Sequence, residues 1–261
     1  MRGQRGFWLS ILGVLLFLVG LGGAGYRYYQ TARLEAKVRT QVAAVATTRT
    51  RARPSPTRPP TPTRHPTRPE ETPSPRPRPT STGTPTFTPT PTPKPAPPVR
   101  LIIPVLDIDV PVVPVEDTLT VQEGRWSRVW GTADYAAGYH VNGAFPGRPG
   151  NVIISGHNNI KGEVFRALSV LGNPDVPFPR GAAVYLVDAN GRVFLYELTQ
   201  LVKVDTRAHA EEGIRWLYAT RDPVLTLVTC WPLNNNTHRI IVRARFVREV
   251  DPSVLPRKSQ E

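Results

Sequence analysis

Eighteen prolines fall between Pro54 and Pro98, and no other feature limits so severely what this chain can fold into. The stretch TTRTRARPSPTRPPTPTRHPTRPEETPSPRPRPTSTGTPTFTPTPTPKPAPP covers residues 47–98 and interleaves those prolines with threonine and arginine. Proline locks φ and has no N–H to donate, so neither a helix nor a sheet ladder propagates here. Such a segment samples extended polyproline II at about 3.1 Å per residue, which makes it a disordered Pro/Thr-rich stalk of up to roughly 150 Å. A spacer holding a domain away from a surface is the expectation, and Thr/Pro composition also suits O-glycosylation. A ligand for a proline-binding domain is the alternative.

The charges divide unevenly around this stalk. Residues 1–46 carry six Lys/Arg against one acid, residues 47–99 nine against two, and residues 100–261 eighteen against seventeen. The formal net charge of +13 therefore lies almost wholly outside the foldable region. A nucleic-acid-binding domain needs its basic excess on the folded surface, so that class is excluded. Residues 7–26, FWLSILGVLLFLVGLGGAGY, contain no charge at all. At a rise of about 1.5 Å per residue they reach roughly 30 Å, the thickness of a bilayer core. Trp8 at one end and Tyr26, Tyr28 and Tyr29 at the other suit interfacial belts. Length favours an uncleaved signal-anchor over a cleaved signal peptide, whose apolar core is shorter. Basic residues flank both sides, so charge alone does not orient the span.

The expected organisation is a cytoplasmic tail at 1–6, a transmembrane anchor at 7–26, a juxtamembrane segment at 27–46 that continues as a short helix, and the linker at 47–98. A folded domain at 99–250 and a tail at 251–261 follow. Within the domain, VRLIIPVLDIDVPVVPV reads as two strands around Asp107–Asp109, with Pro104, Pro111 and Pro114 at edges or bends. NVIISGH is a strand running into a loop. EVFRALSVLG (163–172) is a short amphipathic helix ending at Gly172. AAVYLVD and RVFLYELTQLVKV pair across the hairpin signal Asn190-Gly191. EEGIRWLYA is another brief helix, and PVLTLVTC and HRIIVRARFV supply two final strands. Short strands with turn signals and only brief helices indicate an all-β domain, a barrel or a sandwich.

Cys230, the only cysteine, ends a β-branched strand just before Trp231-Pro232. A buried free thiol is usually inert packing. Secreted proteins normally pair their cysteines, however, so a lone one in a chain that leaves the cytoplasm points to a retained reactive thiol. Only the thiolate attacks, and a neighbouring imidazolium and guanidinium would stabilise it and the oxyanion that follows. His157 follows a strand, with Gly156 expected to let the backbone turn tightly. Arg239 comes nine residues after Cys230, a spacing that suits an antiparallel neighbour. His65 lies in the stalk, while His140, His209 and His238 compete with His157. Neighbours on a strand point to opposite faces, so His238 and Arg239 cannot both face the thiol. That geometry favours His157.

TLVTC (226–230), SGH (155–157) and Arg239, in the order His, Cys, Arg, resemble the signature of the sortases, cysteine transpeptidases of bacterial surfaces. RLIIPVLDIDVPVV, FPGRPGNVIISGHNN and VFRAL extend the resemblance, class D/E-like as a whole, over roughly residues 99–249, while GHNN followed by VFRAL resembles several sortase classes. The resemblance implies an eight-stranded β-barrel with one or two short helices, on the outer face of a membrane that the chain crosses once. It implies that Cys230 attacks a peptide carbonyl in an LPxTG-like sorting signal to form a thioester. His157 would pair with the thiolate and carry the proton between thiol, leaving amine and incoming amine. Arg239 would hold the oxyanion or the substrate backbone, and Thr229 would add a backbone or hydroxyl contact. The implied partners are a sorting-signal peptide, an amine acceptor from a cell-wall precursor or a pilin-type lysine, and the membrane. No metal or other cofactor is expected. The segment between 205 and 223 is expected to shape the substrate groove.

Two other readings compete. An L,D-transpeptidase also uses Cys and His, but would place a histidine-glycine pair close before the cysteine, and none stands there. A stalked β-barrel adhesin or scaffold would leave Cys230 as core.

Overall fold

The structure, a computed structural model, describes Gly23 and residues 25–45, 94–122 and 125–256. The expected anchor lies outside these residues apart from Gly23, Gly25 and Tyr26, as do the tail at 1–6, most of the stalk and residues 257–261. Among the described residues no helix is long and apolar enough to cross a membrane. Helix α1 runs over 25–45, through nearly all of the segment expected to be juxtamembrane.

Eight strands close into a barrel. They are β1 (Pro98–Ile103), β2 (Ile108–Val115), β5 (Ala137–His140), β6 (Gly150–Ser155), β7 (Ala183–Asp188), β8 (Val193–Asp205), β9 (Pro223–Trp231) and β10 (His238–Val250). Their order around the wall is β1-β2-β5-β6-β9-β10-β8-β7, with β7 returning to β1. Two pairings are parallel, β2 with β5 and β6 with β9. A separate hairpin is formed by β3 (Thr118–Gln122) and β4 (Arg125–Val129).

The period of two explains which residues fill the interior. On β9 the buried core takes Leu225 and Leu227, on β10 Ile240, Val242 and Ala244, and on β6 Val152 and Ile154. The intervening residues face outward, and on the outer side a second apolar group forms from Val204, Val228 and Ile241. Trp130, Val202, Trp216 and Leu217 pack against that group.

The all-β reading resolves to a barrel, with α2 (Arg166–Val170) and α3 (Ala210–Arg215) as its short helices. The helix expected over 163–172 is reduced to five residues at its centre. Lys161, Gly162 and Glu163 all take positive φ, so the chain enters helical geometry only after Phe165. Pro111 and Pro114 lie inside β2 rather than at its ends. They are tolerated because β2 pairs with β1 up to Pro111 and with β5 from Val112 onward, so each half has one open side. β5 escapes sequence reasoning because Ala-Gly-Tyr-His has neither alternation nor a β-branched residue, and the β3–β4 hairpin was also not anticipated.

Candidate active site

Strand β9 carries Cys230 between the two neighbours that supply its partners. On one side the antiparallel register sets Arg239 of β10 directly opposite Cys230. Directly opposed residues project to the same face, so the guanidinium and the thiol share the barrel's outer surface. On the other side, parallel β6 sets Ser155 beside Val228. The Gly156 N–H continues that ladder to the Val228 carbonyl at 3.1 Å. Cys230 stands two residues beyond Val228 on the outer face of β9, and His157 two residues beyond Ser155, just past the end of β6. The register thus opposes Arg239 to Cys230 and ends the neighbouring ladder two residues short of His157.

Several hydrogen bonds hold this arrangement. The Cys230 carbonyl accepts from Asn158 Nδ2 at 2.9 Å and from Ser169 Oγ at 2.7 Å. Asn158 also donates to Asn236 Oδ1 at 3.0 Å, and Asn159 to the Leu233 carbonyl. Arg239 Nη1 donates to the carbonyls of Asn236 at 3.2 Å and His238 at 3.3 Å, which tethers one edge of the guanidinium. The asparagines 158, 159 and 236 were not singled out from sequence. Their signal was the tract NN at 158–159 beside the histidine and NNN at 234–236 after the cysteine.

Thr229 sits on the opposite side of β9 from the thiol, 2 % exposed, and its hydroxyl donates to the Gly156 carbonyl at 2.9 Å. It is a positioning residue that joins β9 to β6 immediately before the imidazole. Gly156 serves close approach rather than a tight turn: a Cβ there would stand 2.7 Å from the Phe165 ring. Phe165 is fully buried, and its N–H donates to the His157 carbonyl at 2.9 Å.

Burial of the imidazole, reinforced by Lys161 and opposed by Asp134, holds His157 below its ordinary value of 6.5. Lys161 and Asp134 are themselves paired at 2.9 Å. His157 Nε2 is buried without a hydrogen-bond partner among the described residues. A neutral imidazole with a free ring nitrogen can take the proton of a thiol that reaches it. Two of the competing histidines, His140 and His238, are engaged elsewhere. His140 Nδ1 lies 3.1 Å from Asp117 Oδ1 and its Nε2 2.9 Å from Ser155 Oγ. His238 Nδ1 lies 2.9 Å from the Thr237 hydroxyl, and its ring meets Trp231 edge-on.

From Cys230 and Arg239 the outer face continues as the apolar floor of Val228 and Ile241 described above, with Trp130 and Trp216 against it. The segment between 205 and 223 is fixed over this floor by a polar network that the sequence did not reveal. Asn151 Nδ2 donates to the carbonyls of Trp216 at 3.0 Å and Tyr218 at 3.2 Å. Thr226 donates to Asn151 Oδ1 at 2.7 Å. Arg243 donates to the Trp216 carbonyl and lies 4.9 Å over its ring. A cavity of about 520 Å³ lies elsewhere, between α1 and the chain after β9, where Trp231 lines it and Cys230 does not. Adjacent strand residues face opposite ways, so that cavity is not where the thiol points. Among the described residues no cluster of His, Cys, Asp and Glu could hold a metal ion.

A closed β-barrel with a lone thiol and a guanidinium on adjacent strands, and an imidazole just past the end of a third, defines a barrel-type cysteine enzyme. A family model described as Sortase domain matches residues 101–247, more than half of the chain. The chain belongs to the sortase family and is accordingly a cysteine transpeptidase. No curated protein matches it. Solved structures similar to it include sortase A from Corynebacterium diphtheriae, a lid mutant, at 24 % identity and a TM-score of 0.44 over 59 % of this chain and 72 % of that one. Streptococcus pneumoniae sortase C is 22 % identical with a TM-score of 0.42, covering 58 % and 67 %. The Clostridium perfringens sortase D5 transpeptidase is 21 % identical with a TM-score of 0.40, covering 57 % and 78 %.

Proposed function

We propose that this sortase cleaves an LPxTG-like sorting signal through a thioester on Cys230 and transfers the acyl group to an amine of the cell wall or of another surface protein. The observation that carries this reading is the direct register of Arg239 opposite Cys230, on a strand whose other neighbour leads into His157 two residues past its last ladder pair. The neutral imidazole accepts the thiol proton as sulfur attacks the substrate carbonyl. Arg239 stabilises the oxyanion with its planar donor fork. As the carbon–nitrogen bond breaks, the imidazolium returns its proton to the leaving amine. The acceptor amine then attacks the thioester, gives its proton to His157, and the thiolate departs. No metal or other cofactor takes part in this scheme.

The segment held by Arg243 forms one wall of the groove for the signal peptide. Residues 7–26 anchor the chain in the membrane as a single span, and the barrel lies outside the cell. The acceptor is a cell-wall precursor amine or a pilin-type lysine.

Incubation of the full chain with a library of sorting peptides, followed by mass spectrometry of the intact protein, tests the reading. An acyl adduct confined to Cys230 and released by an added amine is expected. Arg239→Lys should form it far more slowly, because a point charge does not reproduce the fork. An adduct that persists in Cys230→Ala would sink the assignment.

A further inference from the structure

Leu34, Val38 and Val42 recur at four-residue spacing on one face of α1. Val38 and Val42 are 1 % and 3 % exposed and belong to the same core cluster as the barrel interior, with Leu34 packed against it. A helix that merely led from one segment to the next would not bury an apolar stripe so completely. The opposing surface includes Leu106, Ile108 and Val110 at the start of β2, and Val164 and Ala167 around α2. Polar contacts flank the stripe. Lys37 Nζ lies 2.6 Å from Asp107 Oδ2, and Arg166 Nη2 donates to Thr31 Oγ1 at 3.3 Å.

The chain is fastened again where it re-enters the barrel. The Lys94 carbonyl accepts from Asn190 Nδ2 at 2.9 Å and Arg192 Nη2 at 3.4 Å, and the Ala189 N–H donates to the Pro97 carbonyl at 2.9 Å. Both flanks of the Pro/Thr-rich stretch are therefore attached to one body.

We infer that α1 docks the barrel beside the bilayer. The inference rests on the reading of residues 7–26 as a membrane span. The described helix begins at residue 25, where that span ends. Docking therefore confines the barrel to about the length of α1 from the membrane, roughly 30 Å. The barrel surface at Leu106–Val110 and Val164–Ala167 thus sets the height at which the enzyme works.

The test uses the full chain in phosphatidylcholine/phosphatidylglycerol nanodiscs, with Cys230→Ala to remove the native thiol, so its outcome does not depend on catalysis. A short bis-maleimide should join Lys37→Cys to Asp107→Cys at least tenfold more often than Lys37→Cys to Arg221→Cys, read by mass spectrometry. Residue 221 precedes β9, about 30 Å of strand away from the docked end. Val38→Asp/Val42→Asp should abolish the first link while circular dichroism shows the barrel folded. Energy transfer from a dye on Asp107→Cys to acceptor-labelled lipid should fall several-fold in the same variant. Equal linking of the two pairs overturns the docking. Unchanged energy transfer on release of α1 overturns the control of height. Strong linking in a chain that fails to stay in the bilayer would instead overturn the spanning segment, and with it the placement beside the membrane.

Discussion

The Thr229 hydroxyl donates to the Gly156 carbonyl at 2.9 Å, so the strand that ends in the thiol is bonded to the residue that precedes the imidazole. Thr229→Val keeps the shape and leaves a buried acceptor unpaired, at a cost of about 1–3 kcal/mol. Thermal unfolding should show that loss, and acyl-enzyme formation should slow because His157 is no longer held beside Cys230. Thr229→Ser should restore both, and an equally fast Thr229→Val would remove the positioning role.

Because burial and Lys161 disfavour the imidazolium, the acidic limb of kcat/KM should have its midpoint below 6.5. Lys161→Gln should move that midpoint upward by removing a nearby cation and leaving Asp134. The same shift has a stability consequence. Below 6.5 the unfolded chain takes up the proton first, so the contribution of His157 to stability is present above that pH and is lost as pH falls toward the folded value. A kinetic midpoint above 6.5 would contradict the buried neutral imidazole.

Gly156→Ala should destabilise the barrel by about 1–3 kcal/mol, the usual cost of forcing an extra carbon into a packed core. The new Cβ would meet the Phe165 ring at 2.7 Å. Phe165→Leu in the same chain should recover part of that loss by making room. Denaturant titrations of the two single variants and the pair measure the coupling, and strict additivity would show that the ring is not the obstacle.

Arg243 is half-buried, and that burial holds its guanidinium below the ordinary value for arginine. It binds the Trp216 carbonyl and stacks on the Trp216 ring. Arg243→Lys should loosen the segment between 205 and 223, raising KM for a signal peptide several-fold with little change in kcat. A change in kcat alone would place Arg243 at the chemistry rather than at the groove wall.

Much of this was legible in the sequence because it follows from a period of two and from turn chemistry. The Asn190-Gly191 hairpin between β7 and β8 and the strand leading to Cys230 are of that kind. Nine residues separate Cys230 from Arg239, and the short turn between their strands makes them opposed. His157 needed more: its place follows a parallel pairing of β6 with β9 whose partner residues, such as Gly150 and Pro223, lie over seventy positions apart. The burial of Val38 and Val42 was not legible at all, since a stripe on a helix does not say what covers it. Nor was the network of Asn151, Thr226 and Arg243, whose members lie on three strands and meet only after closure.

The backbone ladders that align β6, β9 and β10 do not involve residues 206–222. On the proposed reading, peptide preference and reactivity are therefore written in separate parts of the molecule. The covering segment can be exchanged for one of another shape while the nucleophile, base and cation keep their spacing, which makes this barrel a chassis suited to retargeting by transplanting a single strap.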